Sequence, residues 1–230
     1  MKKIIFMLLV TFMVASCGNQ SKEIPLINDL VIYTYNENDS TFMGVKYANS
    51  DDVVINPDAY LSIDADSCII RTINQDNRVE VYNHQGVSIG GISFDSFVKI
   101  KMSNDGFYYL GKNYDKKFFY YPKTKTFIAP IHFYQNMTTQ CLITDDTVFF
   151  YDHSGNRLSK LAKNDILYLL EIKDKSYYIV MSLDDNVKTI FDVHSNEVKK
   201  LNKKQWAKFE NTLSKQTTID NFVYAIINEI

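Results

Sequence analysis

The sequence predicts a mainly β chain of irregular tandem antiparallel β-hairpin units, solenoid-like or small-propeller-like in arrangement, closed by two C-terminal α-helices. Three observations carry this. The chain holds 16 Tyr and 15 Phe against 1 Trp and 4 Pro, and Tyr and Phe fit pleated, half-buried surfaces. Short apolar runs alternate with clusters of Asn, Asp, Gly and Ser, the residues that supply local side-chain hydrogen bonds or positive φ in tight turns. Finally, one strand-and-turn pattern recurs as RVEVY then NHQG, KFFYY then PKTK, TVFFY then DHSGN, and KTIFD then VHSN. Each copy follows an aspartate (Asp76, Asp115, Asp145, and Asp184 or Asp185), at intervals of 39, 30 and about 40 residues. A lone hairpin is marginal in water, so neighbouring units must pack on one another to bury their rings. At 230 residues the chain suits one domain or a short array of this kind.

The first segment reads as an address rather than as structure. Met1 to Lys3 are positively charged, Ile4 to Val14 form an apolar run too short to span a bilayer, and Val14-Ala15-Ser16 are the small residues of a cleavage stretch before Cys17. Residues 1–16 are therefore expected to be a signal peptide, 17–23 a polar tether, 24–201 the β-repeat domain and 202–230 a helical cap. The four residues VASC resemble the lipobox of bacterial lipoproteins. That resemblance implies a diacylglyceryl thioether on Cys17, a third acyl chain on its amine, and a bilayer as the protein's first partner. Each buried CH₂ contributes roughly 0.8 kcal/mol, so two or three chains anchor durably where one does not. Gly18, rather than Asp, follows the cysteine, which by resemblance to enterobacterial sorting implies the outer membrane. Loss of Lys2 and Lys3 leaves 23 basic against 27 acidic residues, a charge of −4, so attraction to anionic lipid is not the expected anchor. With no basic block or stripe, nucleic acid is not an expected partner.

Beyond the tether, Leu30 to Tyr35 and Phe42 to Tyr47 flank the turn-rich Asn36 to Ser40 and read as a first hairpin. Residues 50–57 read as a loop, Tyr60 to Ile63 as a short strand, and Cys68 to Ile73 and Val79 to Tyr82 as strands around the turn Asn74 to Asn77. The best-formed unit is Gly86 to Tyr121, GVSIGGISFDSFVKIKMSNDGFYYLGKNYDKKFFYY. Within it YLGKNYDKKFFYY resembles the DKNYY repeat of bacterial proteins, and GVSIGGISFDSF resembles that repeat's Gly-rich lead. DKSYY, from Asp174 to Tyr178, is a poorer echo; the Asn of the core is replaced by Lys117 in one copy and Ser176 in the other. The resemblance implies a repetitive extracytoplasmic β architecture and no assigned chemistry. From Asn202 the period changes. Trp206, Phe209 and Leu213 recur at helical spacing with Asn202 as N-cap, and Phe222, Val223, Ile226, Ile227 and Ile230 form the apolar stripe expected of a second helix.

No motif points to catalysis: GxSxG, HExxH, a Walker loop and a strand-following GxGxxG are all missing from the sequence. His84, His153 and His194 occupy similar turn positions, but no Cys, Asp or Glu joins them at ligand spacing, so they are expected to be solvated turn residues rather than a metal site. Cys68 and Cys141 each sit in an apolar run, where a buried thiol is the commoner fate and a disulfide the alternative outside the cytoplasm. Asp39-Ser40-Thr41 and Asp146-Thr147-Val148 resemble an O-glycosylation acceptor of the Bacteroidetes type and fall in turns. The densest aromatic group, Tyr108, Tyr109, Phe118, Tyr120 and Tyr121, is the candidate stacking platform for a glycan, because consecutive strand residues face opposite ways and half of them are free to be exposed. The expected function is a non-enzymatic binding or interaction module at the cell envelope, requiring no cofactor. A glycan-binding accessory lipoprotein and an envelope enzyme without a recognisable motif are the alternatives.

Overall fold

The computed structural model describes residues 22–102, 106–136, 138–172, 175–181, 187–213, 218–219 and 222–227. These form five sheets in chain order. The first contains β1 (Lys22–Ile27), β2 (Leu30–Glu37), β3 (Ser40–Tyr47) and β4 (Val53–Asp58). The second contains β5 (Ser62–Ala65), β6 (Ile70–Ile73) and β7 (Val79–Tyr82), and isolated bridges Val79–Phe94 and Tyr82–Ser88 extend it. The third contains β8 (Ser96–Lys101), β9 (Phe107–Asn113), β10 (Lys116–Tyr121) and β11 (Thr126–Ile128), and the fourth β12 (His132–Gln135), β13 (Thr139–Ile143), β14 (Thr147–Asp152) and β15 (Arg157–Ala162). In the fifth, β16 (Tyr168–Ile172), β17 (Lys175–Met181), β18 (Lys188–Asp192) and β19 (Glu197–Leu201) lead into α1 (Lys203–Leu213), β20 (Thr218–Ile219) and β21 (Phe222–Ile227). Within each sheet consecutive strands pair antiparallel in sequence order, apart from β21. The predicted class, mainly β in tandem antiparallel units, is the class observed.

The recurring sequence pattern has a definite structural meaning. The strands β7, β10, β14 and β18 are each the third of their sheet, and the turn after each begins at Asn83, Pro122, Asp152 or Asp192. In every copy the residue three further on donates its amide to that first residue's carbonyl, at 3.0 Å for Gly86, 3.3 Å for Lys125, 3.1 Å for Gly155 and 3.0 Å for Ser195. All four of these residues have positive φ. Where the first residue is Asn or Asp, its Oδ1 accepts two further amides: Gln85 and Val87 on Asn83, Ser154 and Asn156 on Asp152, His194 and Asn196 on Asp192. That closure explains why Asx and Gly, rather than merely polar residues, punctuate the chain.

Each pair of neighbouring sheets shares one core. Leu30, Ile32, Val45 and Ile55 meet Tyr60, Ile63 and Ile70 between the first and second sheets. Ile69, Val81 and Phe94 meet Phe97, Tyr109, Phe118 and Tyr120 between the second and third. Tyr108, Phe119, Tyr121 and Ile128 face Leu142, Phe149 and Tyr151 between the third and fourth. Cys141, Ile143, Val148 and Phe150 face Leu169 and Tyr178 between the fourth and fifth. Strand periodicity of two then requires an inner sheet to be apolar on both faces, which is why FFYY and FFY runs appear. The free face of the fifth sheet, with Leu170, Ile179, Ile190 and Leu201, is covered by Trp206 and Phe209 of α1. Among the described residues, no core cluster joins the first sheet to the last.

Helix α1 starts where the sequence places it. Asn202 Oδ1 accepts the Gln205 amide at 2.9 Å and Gln205 Oε1 accepts the Asn202 amide at 3.0 Å, a reciprocal capping box. The second expected helix is corrected. Phe222–Ile227 is a strand, parallel to β16 in continuous register from Tyr168–Val223 to Ile172–Ile227. FVYAII is rich in β-branched residues, and a short unbroken apolar run is one that periodicity does not separate into helix or strand. The residues between β19 and β21, α1 included, supply the crossover that parallel pairing needs. The first described strand begins at Lys22, with Lys22 and Glu23 paired to Thr34 and Tyr33. Residues 1–21 lie outside the described residues, and with them the signal-peptide segment and Cys17.

Candidate functional site

The aromatic platform is corrected first. Tyr108, Tyr109, Phe118, Tyr120 and Tyr121 are all buried, none more than 8% exposed. The physical reason is the sandwiching of the third sheet: Tyr109, Phe118 and Tyr120 fill the core on one side, Tyr108 and Tyr121 the core on the other. Tyr121 stacks on Tyr151 with ring centroids 3.7 Å apart, and its hydroxyl donates to Gln140 Oε1 at 2.7 Å. Burial pushes the Tyr121 phenol far above its ordinary range, with the neighbouring Tyr151, Tyr108 and Cys141 adding to it. These rings are structural, and no glycan reaches their faces.

The histidines are not gathered into one group either. His84 Nε2 binds the carbonyl of Asp66 at 2.8 Å, and His153 Nε2 binds the carbonyl of Asn136 at 3.0 Å. Both are one device used twice, in which the turn after a third strand is tied to the loop between the first two strands of the same sheet. That loop is closed alike in both copies: Asp66 Oδ1 accepts the Cys68 and Ile69 amides, as Asn136 Oδ1 accepts those of Thr138 and Thr139. Each loop also grips the next sheet. The Tyr109 hydroxyl lies 2.7 and 2.8 Å from the two Asp66 carboxylate oxygens, and Asn136 Nδ2 donates to Ser176 at 2.9 Å. His194 lies exposed in its own turn.

What the fold does build, where the second sheet's loops meet the third sheet, is a cleft of about 450 Å³. Its walls carry Cys68, His84, Gln85, Ser88, Lys125 and Phe127, with the edge of Tyr120 behind them. Phe127 lies close against the backbone of Gly90, where a Cβ would stand 2.5 Å from the ring and where φ is +84°. A carbonyl only accepts, so His84 Nε2 carries the proton it shares with Asp66. The wall offers an imidazole, an ammonium, a thiol, an amide, a hydroxyl and an aromatic ring, with no carboxylate among its lining residues. Chemically this suits hydrogen bonding to a neutral polar or anionic group against an apolar surface. The sequence marks His84 only as a turn residue and does not single out Lys125 or Phe127. The signal that marks them is the equivalence of the NHQG and PKTK turns, which puts their flanks beside each other on adjacent sheets.

The two cysteines are free, and they belong to different cores: Cys68 packs against the one between the second and third sheets, Cys141 lies in the one between the fourth and fifth. Burial pushes the Cys141 thiol well above its ordinary value. Both candidate glycosylation motifs fall at hairpin turns. Ser40 and Thr41 are exposed, whereas the Thr147 hydroxyl is half-buried and bonded to Asp146 at 2.9 Å.

No family model matches this chain, and no curated protein matches it. Among solved structures it is similar to a chain of the crystal structure of BBS1N in complex with ARL6DN, at 12% identity and TM-score 0.25, over 75% of this chain and 64% of that one. It is also similar to the AfRom2 CNH domain, at 12% identity and TM-score 0.21, over 78% of this chain and 83% of that one.

Proposed function

We propose that this protein is a non-enzymatic binding module of the bacterial cell envelope, held to a membrane, with the outer membrane as its expected location, by acyl chains on Cys17, and that its partner is another envelope protein. The observation that carries the binding role is the cleft of about 450 Å³ between the second and third sheets. It falls in the size range of ligand-holding pockets, its wall is made mostly of loop and turn residues against Tyr120 and Phe127 of β10 and β11, and those turns are fixed by the Asp66, His84 and Tyr109 contacts. Preorganised loops on a rigid scaffold are the usual place for recognition. With its Nε2 held by a backbone carbonyl, His84 ties its turn to the Asp66 loop and keeps that part of the cleft wall in place. Anchoring is supported by the order of charge, apolar run, small residues and cysteine that ends in VASC.

A second reading is a glycan-binding accessory lipoprotein. It no longer rests on the five buried rings; it rests on the cleft, whose lining includes Gln85, Ser88 and the ring of Phe127, the polar hydrogen-bonding groups and apolar face that a sugar requires. Affinity capture of the lipidated protein from its own envelope separates the two. A protein partner recovered from the wild type and lost from a Lys125→Glu variant is the expected result. Recovery of oligosaccharide alone would replace the first reading by the second, and recovery of neither by folded, lipidated protein would remove both.

A further inference from the structure

We infer that the outer face of the first sheet is a membrane-contact surface, seated on zwitterionic lipid headgroups through Tyr33, Tyr35 and Phe42. This inference rests on the proposed acylation of Cys17.

The two ends of the array differ. The fifth sheet is roofed by Trp206 and Phe209 of α1. On the first sheet, Ile24, Leu30, Ile32, Val45 and Ile55 point into the shared core. Alternation then places Glu23, Val31, Tyr33, Tyr35, Phe42, Gly44 and Lys46 on the opposite face. Among the described residues, none of Tyr33, Tyr35 and Phe42 belongs to a core cluster. Tyr35 and Phe42 are directly paired across the strands and stack at 5.2 Å with an interplanar angle of 13°, and Tyr35 is 37% exposed. The Tyr33 ring packs against Gly44, where an added Cβ would meet it at 2.8 Å, and Lys46 Nζ lies over it at 6.0 Å. Val31 beside them is buried, so the Tyr35–Phe42 stack is the exposed part of this aromatic surface.

Covalent reach brings the bilayer to this face. Only four residues separate Cys17 from Lys22, and five Cα steps of extended chain span at most about 17 Å. Lys22 enters the sheet in register with Thr34 and Met43, one row from the Tyr35–Phe42 stack. An acylated Cys17 therefore holds the headgroup region within reach of the stack. Tyrosine and phenylalanine have the apolar body, and tyrosine the polar tip, that settle at that depth. The charges select the lipid. Lys46 is neutralised by Glu23 at 2.7 Å and Asp51 at 3.7 Å, while the β2–β3 tip carries Glu37 and Asp39. An excess of acid at this face opposes anionic lipid and leaves zwitterionic headgroups as the occupant.

Hydrogen exchange on the mature lipidated chain tests this. On phosphatidylcholine vesicles, amides of residues 36–41 are expected to exchange several-fold more slowly than in the soluble Cys17→Ser chain, while the turn at 192–196 is unchanged. Adding phosphatidylglycerol should reduce the protection. A Tyr35→Ser/Phe42→Ser variant should still float with vesicles but lose the protection at 36–41, with the unchanged turn at 192–196 reporting an intact fold. Equal exchange with and without vesicles, or protection that survives the double variant, overturns the inference; protection that rises with protein-to-lipid ratio overturns it in favour of a second copy. If native Cys17 carries no acyl chain, coupling its thiol to a maleimide lipid repeats the measurement. Protection under that coupling sustains the surface while removing the biological anchor, and lack of protection refutes both.

Discussion

Replacing Phe118 and Phe119 by alanine, one at a time, examines the stacking of sheets most sharply. The two rings are consecutive in β10 and face opposite ways. Phe118 is 8% exposed and lies against Phe94 at 5.6 Å and Phe127 at 5.7 Å in the core between the second and third sheets. Phe119 is 1% exposed and lies against Tyr108 at 5.5 Å and Phe133 at 4.7 Å in the next core. Removing a buried ring costs its transfer free energy plus a cavity term, about 3–5 kcal/mol. Because each face has its own core, both variants should lose about that amount. In a sheet with one solvated face, the outward residue would change stability by only about 0.5 kcal/mol. Urea unfolding of the Cys17→Ser chain measures both, read from midpoints at constant slope. A cost below about 1 kcal/mol for either variant would refute the two-sided burial of the third sheet.

Three further outcomes follow from single contacts. Asn202→Ala removes the cap of α1 and should cost about 1 kcal/mol in the same assay; no change would mean that α1 does not roof the fifth sheet in solution. A maleimide should label Cys68 but not Cys141 in the folded Cys17→Ser chain, and both after unfolding, since burial holds the Cys141 thiol protonated; equal labelling of the folded chain would contradict the core position of Cys141. For Asp152 and Asp192, burial alone would raise the carboxyl, but side-chain and backbone hydrogen bonds, led by Asn156 and Asn196 respectively, outweigh it and hold both below the ordinary carboxylate range. A depressed folded-state value means the stabilisation is present above the unfolded value, about 3.9, and is lost as pH falls through the folded one. The Asp152→Asn/Asp192→Asn chain should therefore show a shallower loss of stability below about pH 4, and an unaltered acid limb would refute the turn chemistry.

Much of the fold was legible because turn chemistry is local. Asn83, Asp152 and Asp192 declare their turns through side-chain oxygens that bind amides two and four residues on, so spacing alone revealed the units. Asn202 and Gln205 did the same for α1. What stayed hidden was non-local. Whether Tyr108 and Phe119 faced water depended on Leu142 and Phe149 arriving from the fourth sheet, and nothing in the FFYY run carries that information. Whether FVYAII became helix or strand was decided by an open edge at β16. The cleft was invisible for the same reason, since Cys68, His84 and Phe127 are assembled by two neighbouring sheets rather than by one motif.

The proposed membrane attachment through Cys17 links the proposed envelope location, binding role and membrane-facing first sheet, and one measurement tests it most directly. Fractionation of cells expressing the wild-type chain and the Cys17→Ser chain, followed by flotation, reads it directly. The account predicts that the wild type floats with membrane lipid and that Cys17→Ser is recovered in the soluble fraction with its fold intact. Cys17→Ser remaining with the membranes after a salt wash would contradict it.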